Sequence, residues 1–165
     1  MAAVQPFLQG LRTRVVVLMH HREQKLTTNT ARLAAQTLPG CEIRIRGERA
    51  QPLDTAGLLS TERLPLLLYP SDTALELTPE LVAGWDRPVT LIVPDGSWRQ
   101  TRKVAAREAV VQGVRQVKLP AGALSSFRLR KEPNAASVST FEAITRALAV
   151  LEGERGRAMR RPLED

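Results

Sequence analysis

Short apolar runs alternate along the chain with longer stretches in which apolar and polar residues share a helical period. Residues 13–19 (TRVVVLM) read as a buried strand, and residues 28–38 (TNTARLAAQTL) as a helix that stops at Pro39-Gly40. Residues 41–47 (CEIRIRG) alternate apolar and charged positions, as a half-exposed or edge strand does. A loop containing Gln51-Pro52 leads to a short helix predicted over 55–61. The core strands stand out at 64–70 (LPLLLYP) and 89–95 (VTLIVPD), each ended by a proline that cannot donate to a ladder. Between them, residues 71–85 carry helix-starting residues and then a break at Thr78-Pro79. A further strand, 113–120 (GVRQVKLP), also ends at proline. This alternation predicts an α/β single domain, a largely parallel sheet flanked by helices. Three strands end alike, at Tyr69-Pro70, Val93-Pro94 and Leu119-Pro120. Ligands of open α/β sheets collect outside the carboxyl ends of strands, so these loops are the expected site.

Two helices carry capping signals. Ser139 with Glu142 forms an S-x-x-E box, after which Phe141, Ile144, Leu148 and Leu151 recur at helical spacing. Residues 153–165 (GERGRAMRRPLED) read as a frayed helix end or a flexible arm, and residues 1–12 as an N-terminal extension of one domain spanning 1–165. Pro94-Asp95-Gly96 signals a turn, and Ser97 with Gln100 forms a second box, so a helix begins at Trp98. On it Arg99, Arg102, Lys103 and Arg107 fall on one side, with Trp98, Thr101, Val104, Ala105 and Ala109 on the other. Glu108 falls on the apolar side, either as a buried ion-pair partner or because the face is misdrawn. By spacing alone the stripe is a solvated face on a core helix. Asp95 sets it apart, because Ser97 already caps the helix and leaves this acid spare at the mouth of the site. A general base or a ligand anchor is the sharper reading.

With 165 residues and 43% hydrophobic content, the chain suits one globular core. No apolar run is long enough to span a bilayer, and the N-terminus lacks a signal-like apolar segment, so a cytoplasmic location is expected. The single cysteine, Cys41, fits a reducing compartment and reads as a small buried hydrophobe. His20 and His21 follow a core strand and are within reach of a substrate there, but a lone His pair at a strand end is more often structural or solvent-facing. No metal site is expected, since no tetrahedral set of ligands can be spaced from these residues. Twenty-four Lys and Arg against seventeen Asp and Glu leave a formal charge of +7, mostly from arginine, which suits phosphate. Residues 125–133 (SSFRLRKEP) add Arg128, Arg130 and Lys131 beside Phe127, a pattern for backbone contact and base stacking that a half-exposed strand would share. RNA is the best-fitting polyanion. Walker, GxGxxG, GxSxG and HExxH motifs are all absent, which removes the common nucleotide-hydrolase, dinucleotide and hydrolase readings.

Four co-linear motifs resemble those of the DTW-domain family. They are Asp95-Gly96-Ser97-Trp98, the His-x-x-Glu and Asn-Thr segment in residues 20–33 (HHREQKLTTNTARL), the Tyr-Pro-Ser loop in LLLYPSDTA, and STFEAITRAL near the C-terminus. The resemblance implies a tRNA-uridine aminocarboxypropyltransferase that uses S-adenosylmethionine, related to the knotted SPOUT methyltransferases. It implies a SPOUT-like fold with a C-terminal trefoil knot, a threading that no periodicity reveals. Asp95 and Trp98 would then be catalytic. Tyr69, Pro70, Ser71, Gly96, Leu119, Ser139 and Thr140 would bind the cofactor, and Arg99, Arg102, Lys103, Arg128 and Arg130 the RNA phosphates. Two departures stand out: the chain has Ser97 where the family has Thr, and it lacks the N-terminal Cys cluster that resembles a zinc site in many members. The implied partner is tRNA, with the protein acting as a monomer or homodimer.

The rival readings are a SPOUT-type RNA methyltransferase and a non-catalytic RNA-binding module. Product mass separates the first, and binding of S-adenosylmethionine the second.

Overall fold

The computed structural model describes residues 11–25, 31–120 and 135–153. The predicted RNA-contacting segment at 125–133, most of the two terminal stretches and the start of the first predicted helix lie outside the described residues. Six strands form one sheet: β1 (Arg14–His20), β2 (Cys41–Arg46), β3 (Leu64–Leu68), β4 (Leu75–Glu76), β5 (Val89–Asp95) and β6 (Arg115–Lys118). Their order is β2-β1-β5-β3-β6-β4, and every pairing is parallel. β1 and β5 are central and buried on both faces, so they read as unbroken apolar runs. β2, whose residues alternate in character, is an edge strand.

Among the described residues, four α-helices cover the sheet: α1 (Ala31–Thr37), α2 (Pro79–Ala83), α3 (Trp98–Arg107) and α4 (Ala135–Leu151). On one face Val15, Val17, Met19, Leu91 and Val93 pack with Ala31 and Ala34 of α1 and with Ile144 and Leu148 of α4. On the other face Val16, Leu18, Leu67 and Ile92 pack with Val104 of α3. The chain leaves β1 through α1 toward β2, and leaves β5 through α3 toward β6 on the opposite side. That reversal opens a crevice between the carboxyl ends of β1 and β5, where Met19 stands beside Asp95.

Local details correct several expectations. Residues 55–61 form a turn instead of a helix, because Asp54 Oδ1 accepts the Ala56 N–H at 3.0 Å and Gly57 takes a left-handed conformation. Thr78-Pro79 starts a helix where a break was expected: the Thr78 hydroxyl caps Leu81 N–H and proline occupies the first turn. α4 begins at Ala135, ahead of the predicted box at Ser139, and Glu142 pairs with Arg146 one turn on at 2.9 Å. β5 runs through Pro94, which is tolerated because the β3 ladder reaches only Ile92.

Candidate active site

Alternation along β5 places Asp95 on the face of Leu91 and Val93, directed into the layer of α1 and α4. Its residue is 2% exposed, and the Thr140 hydroxyl on α4 donates to its Oδ1 at 2.5 Å. A buried carboxylate needs such donors to offset its lost hydration. Glu23 sits on the 3-10 turn that directly follows β1 (His21–Lys25) and is half-buried. Burial, and after it the charge of Asp95, push its pKa above the ordinary carboxylate value.

On the opposite face, in line with Val16 and Leu18, stands His20. Its Nδ1 accepts the Arg22 N–H at 3.3 Å and lies 3.3 Å from Gln100 Nε2. Gln100 Oε1 accepts the Ser97 N–H at 2.7 Å, and Ser97 Oγ accepts the Gln100 N–H at 3.2 Å, which completes the predicted capping box. The amide nitrogen of Gln100 is therefore turned toward His20, and the network assigns the imidazole proton to Nε2. Burial first, then the charges of His21, Arg46, Arg22 and Lys103, lower the pKa of His20.

Two glycines make this packing feasible. Gly96 has φ 141°, and a Cβ there would collide with the side-chain oxygen of Gln100. Gly47 has φ 89°, and a Cβ there would stand 2.8 Å from His20 Nε2. Behind them Arg46, 4% exposed, pairs with Glu108 at 2.8 Å. Glu108 on the apolar side of α3 is thus an ion-pair partner.

Of the residues predicted from sequence, Asp95, Gly96 and Thr140 meet at the crevice. Tyr69, Pro70 and Ser71 follow β3, one strand further along the same end of the sheet. Tyr69 N–H donates to Val117 O at 2.9 Å, and the Ser71 hydroxyl bonds the Gln116 side chain. Leu119 is buried in the core on the α1 and α4 face, whereas Tyr69 packs on the α3 face. Trp98 opens α3, but its side chain, like that of Ser139, lies outside the described residues. Arg99 and Arg102 are exposed and Lys103 is half-exposed, and none makes an ion pair among the described residues. Arg128 and Arg130 lie outside the described residues.

Sequence reasoning passed over Glu23, Gln100 and Gly47 as site residues. Gln100 was visible only as a cap, and Gly47 only as the end of a strand. Glu23 had a signal, its place in the His-x-x-Glu segment one turn beyond a core strand. A groove of about 390 Å³ along β2, lined by Glu42, Arg44, Gln51 and Asp54, is a weaker candidate site. Its charges are already engaged, Glu42 with Arg14 and Arg44, and Arg44 with Asp54 O at 3.0 Å.

The chain is 32% identical to the tRNA-uridine aminocarboxypropyltransferase 2 of Drosophila melanogaster over 149 residues, 87% of this chain and 58% of that protein. It is 28% identical to the protein of the same name from Macaca fascicularis over 156 residues, 89% of this chain and 52% of the other. The mouse protein of that name is 26% identical over 143 residues, covering 85% and 48%. The chain thus spans about half the length of these relatives. No solved structure matches it. The DTW domain model matches residues 1–165, and with the Asp95-Gly96-Ser97-Trp98 turn set at the mouth of the crevice, the chain belongs to the DTW domain family.

Proposed function

We propose that this chain transfers the 3-amino-3-carboxypropyl group of S-adenosylmethionine to N3 of a uridine in tRNA. The names of its relatives support the reaction class, and one structural observation carries the reading: the buried Asp95 carboxylate, bonded by Thr140, at the switch point of a parallel sheet. The crevice also fits a cationic donor, because the buried Asp95 carboxylate stands there. When bound, the sulfonium makes its attached carbons electrophilic, and the one held in line with the nucleophile reacts. Transfer forms an N3–carbon bond and breaks a carbon–sulfur bond. The electron pair goes to sulfur, which leaves as a neutral thioether, and the N3 proton passes to a base.

In this reading Asp95 is the central catalytic carboxylate and Trp98 packs the site. Tyr69, Pro70, Ser71, Gly96, Leu119, Ser139 and Thr140 hold the donor around the carboxyl ends of β3, β5 and β6. Arg99, Arg102, Lys103, Arg128 and Arg130 bind RNA phosphates, and the first three have no carboxylate partner among the described residues, which supports their part in this role. A SPOUT-like knotted topology fits the insertion of β5 between β1 and β3 and the return of α4 onto β5.

Mass spectrometry of tRNA nucleosides, after incubation with S-adenosylmethionine labelled in its methionine chain, tests the proposal. Labelled aminocarboxypropyl-uridine is the expected product. A methylated nucleoside, or no labelled product and no donor binding, contradicts it.

A further inference from the structure

We infer that Glu23, on the turn that follows β1 at the crevice, is the group that takes the N3 proton, with Asp95 at the end of the neighbouring strand as the orienting carboxylate. This inference rests on the transfer proposed above and assigns its base. The reaction needs an accessible proton acceptor at the crevice, and among the described residues the other titratable groups there are committed elsewhere. Asp95 is 2% exposed and receives the Thr140 hydroxyl at 2.5 Å, so its oxygens are shielded and held. His20 lies on the other face of the sheet. Its Nδ1 faces both the Arg22 N–H and the Gln100 amide at 3.3 Å, and its Nε2 packs against Gly47. His21 stacks on the His20 ring with centroids 4.5 Å apart. Glu23 is half-buried, open to solvent, and makes no hydrogen bond or ion pair among the described residues.

The pairing also supplies a driving force. Two neighbouring carboxylates repel, so a proton taken up by Glu23 relieves the strain of its proximity to Asp95. Burial and Asp95 together raise the Glu23 pKa, which brings a weak base nearer to the operating pH and strengthens it for proton abstraction. Among the described residues, the other ionisable groups nearby are Arg22 and His21 on the same turn, Arg46 on β2 and Lys103 on α3, all of which act on His20. Asp95 is the charge that acts on Glu23.

The sign of the pH effects follows. The base form of Glu23 is required, so kcat/KM falls as pH falls through its raised pKa. For stability, a carboxyl whose folded pKa lies above its ordinary value of 4.5 favours the native state at low pH, and that contribution is lost as pH rises through the folded value. At neutral pH Glu23 therefore costs stability, and Glu23→Gln raises Tm.

The test measures transfer by the wild type, Glu23→Gln and Glu23→Asp on a tRNA transcript, and on the same transcript made with 5-fluorouridine. Fluorine withdraws electron density and makes N3–H more acidic, which lessens the need for a base. The expected result for Glu23→Gln is a kcat loss of about 10²–10⁴-fold, with donor KM unchanged and the acidic limb of the pH profile gone. The fluorinated transcript recovers at least about tenfold of that loss, and Glu23→Asp keeps an intermediate rate. Near-wild-type kcat in Glu23→Gln overturns the inference. So does a raised donor KM at constant kcat, which would mark Glu23 as a ligand for the donor ammonium, or an equal loss on both transcripts. Should Glu23→Gln fail to fold, Glu23→Asp carries the comparison, and equal rates for it and the wild type overturn the inference. Failure of the wild type to make aminocarboxypropyl-uridine refutes the proposed reaction itself, an outcome distinct from an active wild type with an equally active Glu23→Gln.

Discussion

At the amino end of the sheet, Arg63 donates to Arg12 O at 2.6 Å, to Val89 O at 2.9 Å and to Thr90 Oγ1 at 3.1 Å. Beside it, Glu152 Oε1 accepts the N–H groups of Arg12 and Thr13 at 2.8 and 2.6 Å. At the carboxyl end the charge of Asp95, after burial, raises the pKa of Glu23, and burial, then His21, Arg46, Arg22 and Lys103, disfavour protonation of His20. The amino end uses charge to close the ends of strands and of α4 through hydrogen bonds to backbone and hydroxyl groups, while burial and then the charge of Arg14 lower the pKa of Arg63. At the carboxyl end Glu23 feels the like charge of Asp95 and has no ion-pair partner among the described residues. Like-charge proximity lowers stability and shifts pKa, and such tension persists at sites where chemistry makes use of it. The difference teaches where to look for function along the sheet.

The largest expected effect breaks the carboxyl end without unfolding it. Asp95→Asn keeps an acceptor for Thr140, so it leaves Tm within a few degrees while slowing transfer on the order of 10³-fold, measured as single-turnover rate per folded molecule. Next, Glu108→Ala leaves Arg46 buried without its carboxylate and costs about 3 kcal/mol of stability, read from a urea denaturation midpoint. At the amino end, Glu152→Ala removes an acceptor shared by two backbone donors. It costs about 1–2 kcal/mol with transfer per folded molecule unchanged. A drop in rate there would blur the division between the two ends.

The smallest effect is on pH dependence. The folded pKa of His20 lies below its ordinary value of 6.5, so its contribution to stability is complete above that value and is lost as pH falls through the folded pKa. The wild type accordingly loses stability faster than His20→Gln as pH drops below 6.5, a difference that denaturation midpoints across pH report.

Much of this arrangement was legible in the residues, and for definite reasons. Apolar runs such as VVVLM and TLIV mark strands buried on both faces, and the alternation in CEIRIR marks the edge. The Ser97–Gln100 box was visible because capping is local. Asp95 could be singled out because a second acid is superfluous where a serine already caps. Glu23 showed only its place in the His-x-x-Glu segment, since its character comes from burial and from Asp95, a position far away in sequence. Gly47 likewise needs the His20 ring in view. The turn at 55–61 and the helix start at Thr78-Pro79 were misread because a short apolar or proline-containing stretch admits both readings until its hydrogen bonds are known.

Amide hydrogen exchange with and without S-adenosylmethionine tests most directly whether the carboxyl end of the sheet is where this protein works. Protection is expected at Tyr69, Ser71, Gly96 and Ser97, with the amides of Arg12, Thr13 and Arg14 and those along the groove of β2 unchanged. Protection confined to the amino end or to the β2 groove, with none around Asp95, would contradict the account.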